Sequence, residues 1–362
     1  MGTKNPEYEL SLLAGETVEV RSREEILATL DAAGRLDAMP FMPEMLQYCG
    51  KRFRVFKRAD KTCDNIKPWN MRRVQQTVHL TDVRCDGKAH QDCDAGCLIY
   101  WHEAWLKRVN ADFINQWQIR RAAPSSSESP ASQPAAATLC TVESLVRASQ
   151  RPADPVTGEP VYACQATDVR EFSTDLPWWN LWQYVRDVRS GNLRRNLNPS
   201  KSEVLLEALL GWNEVFRALL IEIFNVFQRL RSGVQYPHIG GNLATTPSAE
   251  LNLQPGEFVQ VKSKEEILAT LDRKNRNRGL LFDSEMIRYC GSTSRVLKRV
   301  NQIVDEKTGK ILRMKGPCII LEGAACVSEY HRLCPRAIYH YWREGWLRRV
   351  GEDGNLSGSD GI

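Results

Sequence analysis

"GETVEVRSREEILATLD" at residues 15–31 returns as "GEFVQVKSKEEILATLD" at 256–272, identical at thirteen of seventeen positions. The offset is 241 residues. It also carries "EM..YCG" from 44–50 onto 285–291, "RV.KR" from 54–58 onto 295–299 and "W.E.WL.RV" from 101–109 onto 342–350. No insertion separates these matches, so residues 15–109 and 256–350 read as two copies of one domain, in register throughout. Inside each copy TVEV or FVQV alternates apolar and polar residues as a half-buried strand does. Ser22 or Ser263 then stands three residues before Glu25 or Glu266, the pairing that satisfies free amides at a helix start, which predicts a short helix over EEILATLD.

Working outward, RVLKRVNQIVDEKTGKILRMKGPCIILEG in the second copy predicts strand, turn at Lys307–Gly309, strand and a further strand. YHYWREGWLRRV places Trp342, Trp346 and Val350 four apart, as on one helical face, although its alternation also permits a strand at the end. The expected fold class is α+β, with two homologous small SH3-like β-barrel modules flanking a mainly helical middle region. The expected boundaries are 1–121 for a metal-binding first module, 122–138 for a flexible linker and 139–245 for the helical region. Residues 246–352 form the second, degenerate module and 353–362 a tail. The linker reading rests on AAPSSSESPASQPAAAT, which has too little apolar surface to offset chain entropy.

The chain has 362 residues, 42% hydrophobic and 26% charged, with a net charge of +5. That mild excess is too small to imply nucleic acid from composition alone. No secretory signal is visible at the N-terminus, which predicts a cytoplasmic location. In a reducing compartment eleven cysteines would serve as thiols or metal ligands rather than bridges.

"CDGKAHQDCDAGC", residues 85–97, concentrates three cysteines and a histidine. Zinc favours four such ligands in a tetrahedron. Cys85, His90 and Cys93 map to Cys326, His331 and Cys334, whereas Cys63 maps to Val304 and Cys97 to Ile338. Joint loss of two thiols is what a shared coordination sphere would produce. The expected first site is therefore Cys63, Cys85, Cys93 and Cys97, with His90 as an alternative ligand. The second copy gains Cys318, so Cys318, Cys326, His331 and Cys334 form a second candidate set. The expected metal is zinc, and an iron–sulfur cluster is the alternative because it also takes four thiolates. His102, between Trp101 and Trp105, is expected on the exposed side, and Cys49 and Cys290 as core thiols.

In the middle region, residues 203–231 read as an amphipathic helix with a wide apolar face, interrupted by charges at Glu207, Glu214, Arg217 and Glu222. These charges exclude a bilayer-spanning segment. The preceding Trp178, Trp179 and Trp182, with Arg186, Arg189, Arg194 and Arg195, mark a candidate binding surface. A protein or peptide is the expected partner. The helix itself is expected to pack centrally between the two modules, and the sharper alternatives are a dimer interface or peripheral membrane contact through 178–231.

"EEILATLD", "RFRVFKRADKTCD", "CDGKAHQDCDAGCLIYW" and "CPRAIYHYWRE" together resemble a group of bacterial hypothetical proteins. The resemblance implies a bacterial origin and carries no mechanism. No nucleophile elbow, phosphate-cradling glycine loop or dinucleotide fingerprint occurs. The residues therefore favour a non-catalytic, metal-stabilised tandem-module scaffold or binding protein. The alternative is a metalloenzyme or iron–sulfur protein of a biosynthetic pathway, with its active site in the first module.

Overall fold

The structure, a computed structural model, describes residues 8–66, 70–109, 140–196 and 203–351. The predicted linker at 122–138 and tail at 353–362 lie outside the described residues. Besides a two-residue ladder of Arg35–Leu36 with Met39–Pro40, the strands of the first copy are β1 (Thr17–Val20), β2 (Arg52–Arg58), β3 (Lys61–Asp64), β4 (Asn70–Arg73), β5 (Thr77–Leu80), β6 (Trp101–His102) and β7 (Leu106–Arg108). Five of them form an antiparallel sheet in the order β6-β5-β2-β1-β7. Its buried face begins with Val18 and Val20, the inward residues of the alternating TVEV stretch. Helix α1 (Arg23–Leu27) starts at Ser22 with the predicted reciprocal cap: Glu25 N–H donates to Ser22 Oγ and Ser22 N–H to Glu25 Oε2.

The middle region is not mainly helical. Helices α2 (Val142–Ala148), α3 (Trp182–Arg189) and α4 (Glu203–Leu230) are interleaved with a two-residue ladder and with β8 (Thr174–Leu176). Strand β8 completes a sheet in the order β8-β4-β3, pairing Thr174 with Arg73 and Leu176 with Met71. Backbone hydrogen bonding thus ties part of this region to the first copy. Asp168, with no accessible side-chain surface, reinforces the union by pairing with both Arg35 and Arg151.

The second copy repeats the first element by element. Its strands are β9 (Phe258–Val261), β10 (Thr293–Arg299), β11 (Gln302–Val304), β12 (Ile311–Arg313), β13 (Cys318–Ala325), β14 (Tyr339–Arg343) and β15 (Leu347–Arg349), with helix α5 at Lys264–Leu268. The main sheet runs β14-β13-β10-β9-β15, and β11–β12 is the predicted hairpin. Registers recur at the same offset: Thr17 opposes Arg54 and Phe258 opposes Arg295. Phe282 meets Trp342 and Trp346 edge-on at 6.5 and 5.4 Å, as Phe41 meets Trp101 and Trp105 at 6.3 and 5.1 Å.

The helical reading of residues 339–350 is corrected. The chain runs as a strand, a single 3₁₀ turn at Glu344–Trp346 and a second strand. That corner buries Trp342 and Trp346 together, which is why their four-residue spacing imitated a helical face.

By compactness the described residues fall into two units. One holds those up to 83 together with 99–208, and the other holds 84–98 together with those from 209 onward. Within the second unit Asp94 accepts from the amides of Asn301 and Gln302 and pairs with Lys298 at 3.2 Å, while Arg84 lies over the Tyr339 ring.

Candidate metal centre

The second unit gathers Glu285, Cys326 and His331. Glu285 opens a 3₁₀ turn (Ser284–Tyr289) and its amide is capped by Asp283, which accepts at 2.9 Å. Cys326 follows β13 at the root of a loop closed by Cys326 N–H donating to the Ile338 carbonyl at 2.7 Å. The loop takes left-handed backbone at Ser328, Arg332, Leu333 and Ala337. Residues 84–98 follow the same course, with left-handed Gly87, Gln91, Asp92 and Gly96 at the 241 offset and the equivalent closure from Cys85 to Cys97. A Cβ at Gly87 would sit 2.0 Å from the Cys93 carbonyl oxygen, so the first copy needs glycine there.

One carboxylate oxygen of Glu285, the Cys326 sulfur and one His331 nitrogen lie within 4.8 Å of one another. Cys326 Sγ is 3.6 Å from His331 Nδ1. A tetrahedral ion with bonds of about 2.0–2.3 Å would hold its ligands roughly 3.3–3.8 Å apart, so this pair is already at coordination distance. Tyr330 N–H donates to Glu285 Oε1 at 2.6 Å, but no hydrogen bond reaches the buried Oε2. Burial raises the Glu285 carboxyl above its usual range, against the opposing pull of His331 and the Tyr330 and Glu329 amides. Burial also pushes the Cys326 thiol far up, and the neighbouring Glu285 and Cys334 add to that effect. Both charged forms are thus costly in the protein alone, and a divalent cation would supply the missing compensation. The trio could bind a metal ion whose identity its geometry does not fix. Cys334, 2% exposed and electrostatically felt by Cys326, stands next to it.

Other chemistry fits less well. Cys326, His331 and Asp283, whose Oδ2 is 3.6 Å from His331 Nε2, have the outline of a nucleophilic triad. A reactive thiol, however, has a lowered pKa, and this one is raised. The first copy carries Met42 at the position of Asp283. A four-thiolate iron–sulfur cluster needs sulfur donors, and this trio supplies one.

The remaining predicted ligands are placed as follows. Cys63 lies on β3 opposite Met71. Cys85 and His90 stand on the 84–98 loop, and with Glu44 they are the sequence counterparts of Cys326, His331 and Glu285. Cys93 Sγ accepts from Val304 N–H at 3.2 Å. Burial pushes the Cys97 thiol up to about 12. Among the described residues, Cys63, Cys93 and Cys97 enter no group of three close ligand atoms. Cys318 packs with Val300 and Ile320, and burial pushes its thiol up to about 12. Glu285 was not anticipated from sequence, although the repeat of "EM..YCG" marked its position. His102 is 2% exposed, not solvent-facing, and its Nδ1 accepts from Ala104 N–H at 3.1 Å.

The candidate binding tryptophans divide: Trp179 and Trp182 are each 66% exposed, whereas Trp178 is half-buried and packs edge-on against Trp179 at 6.1 Å. On α4, Leu209, Trp212, Phe216, Leu220, Ile223, Phe227 and Leu230 are all exposed. Among the described residues no helix is long and apolar enough to cross a membrane. Compared with known proteins, the chain matches no protein-family model, no curated protein sequence and no solved structure.

Proposed function

We propose that the chain is a non-catalytic scaffold of two SH3-like modules, stabilised by zinc, that associates with a second copy of itself through α4. The exposed apolar stripe carries this reading. Its residues, from Leu209 to Leu230, are spaced by three or four, so they form one continuous ridge about 32 Å long. With Leu205, Leu206 and Phe224 also exposed, the ridge presents on the order of 800 Å² of apolar surface, matching what one partner contributes to a standard interface. Isolated patches of that size mark interaction sites.

The charges of α4 keep to the side away from the ridge, which leaves the ridge free for an antiparallel self-pairing. Glu203, Glu207 and Glu214 occupy the first half of the helix, Arg217 stands at its middle paired with Glu329, and Arg229 in its last turn. Glu222 breaks the pattern but is buried between Arg229 and Arg332. Two-fold symmetry would let the ridges of two copies pack against each other antiparallel. An anionic membrane surface would instead favour a basic polar face, which this helix lacks. Zinc suits the one-thiol, one-imidazole, one-carboxylate set, and the buried Cys334 next to it would supply the fourth ligand of a closed structural site.

Sedimentation equilibrium tests the association. The native chain should be a dimer at micromolar concentration, and Phe216→Glu with Ile223→Glu should give a folded monomer with unchanged metal content. A native chain that stays monomeric at 100-fold higher concentration would refute the proposal.

A further inference from the structure

We infer that the first unit binds a small phosphorylated polyol, of the sugar-phosphate class, in a cavity of about 390 Å³ beside α3. The cavity lies within the size range of small-molecule sites. Four arginines line it, Arg58, Arg73, Arg186 and Arg189, against two carboxylates, Glu9 and Asp60. Four positive charges less two negative leave +2. Arg58 is already engaged by Asp60 at 2.9 Å and Glu103 at 2.7 Å. Among the described residues no carboxylate pairs with Arg73, Arg186 or Arg189, although arginines elsewhere in the chain are widely paired.

The backbone that carries these arginines is held in place by the fold. Arg73 ends β4, fixed by its pairing with β8. Arg186 and Arg189 are three apart on α3 and therefore share a face. That helix is anchored from beneath by Asp187, which is buried against Lys61 at 2.5 Å, with Lys61 also lying over the Tyr184 ring. A phosphate monoester carries nearly two negative charges at neutral pH and three acceptor oxygens, enough to answer three guanidiniums; a carboxylate would leave one unmatched. The rest of the lining mixes Ser11, Gln75, Gln76 and Ser190, which suit hydroxyl groups, with Leu13 and Val74, which suit the carbons between them. A narrow adjoining cleft of about 20 Å³ shares Asp60, Arg73 and Arg186 with the cavity and has the exposed Trp182 in its lining.

The second copy makes a natural control. Arg73, Gln76 and Asp60 become Met314, Pro317 and Asn301, and α3 has no counterpart in the repeat. The receptor therefore belongs to the first unit alone, and nothing in it depends on the metal centre.

Calorimetric titration tests the proposal with ribose 5-phosphate, glucose 6-phosphate and glycerol 3-phosphate, each beside its dephosphorylated parent and inorganic phosphate. At least one ester should bind tenfold or more tightly than both its parent and inorganic phosphate. Arg73→Met should weaken it at least tenfold, as should Arg186→Ala with Arg189→Ala, while Arg147→Ala on α2, which removes the same charge elsewhere, should leave binding unchanged. Circular dichroism confirms that each variant is folded. Absence of binding by every ester, equal binding of the parent or of inorganic phosphate, or equal weakening by Arg147→Ala would overturn the proposal.

Discussion

His340 shows how one side chain can set a pH response. It is 8% exposed, its Nε2 has no hydrogen-bond partner, and burial pushes its pKa down to about 4. Asp283 opposes that shift, whereas His331 and Arg288 add to it. An unfolded histidine titrates near ~6.5. The folded-state pKa is depressed, so as pH falls from about 6.5 to about 4 the unfolded chain takes up a proton that the native one refuses. Stability is therefore full above the upper limit and lost through that window, by on the order of 3 kcal/mol. Ile99 holds the equivalent place in the first copy. His340→Ile should remove this part of the acid sensitivity, seen as a smaller drop in urea midpoint from pH 7 to pH 4.5 with chelator present in both proteins. An unchanged drop would show that His340 does not titrate as described. Residue identity alone did not reveal Glu285, because a glutamate in "SEMIRY" looks like an exposed helical charge until the turn buries it. The thiols were visible, but their grouping was not: the side chains at 63 and 97 alternate with Val304 and Ile338 between copies, and packing selects for size as readily as coordination selects for sulfur.

At the level of elements, the capping boxes of α1 and α5 were readable because capping is local chemistry over four residues. The 339–350 corner was not, since a 3₁₀ turn between strands reproduces a four-residue apolar spacing. What fixes that corner is long-range: Glu344, fully buried, accepts from the amides of Leu251, Asn252 and Leu253 and pairs with Arg299 at 2.9 Å. Glu103 does the same for Leu10, Ser11, Leu12 and Arg58. Each carboxylate fastens the segment preceding its module to the end of the sheet. Glu344→Ala strands a half-buried guanidinium and three amides, and should cost about 3–5 kcal/mol, measured by denaturant unfolding. A loss below ~1 kcal/mol would mean that water replaces the clamp.

For the whole molecule, the recurrence of one stretch was legible because thirteen of seventeen positions match at a constant offset. The path of the middle region was hidden, since β8 is three residues long and joins β4 only through backbone bonds that no side-chain pattern announces. The second unit is where fold and chemistry converge, through a buried carboxylate, a thiol and an imidazole aimed at one point. The most direct test of that convergence is metal content by plasma mass spectrometry after purification without chelator. The native chain should carry zinc, Cys326→Ser and His331→Ala should each remove one equivalent, and Cys63→Ser with Cys97→Ser should remove none. Full retention of metal in Cys326→Ser and His331→Ala, or its loss with Cys63 and Cys97, would contradict the account.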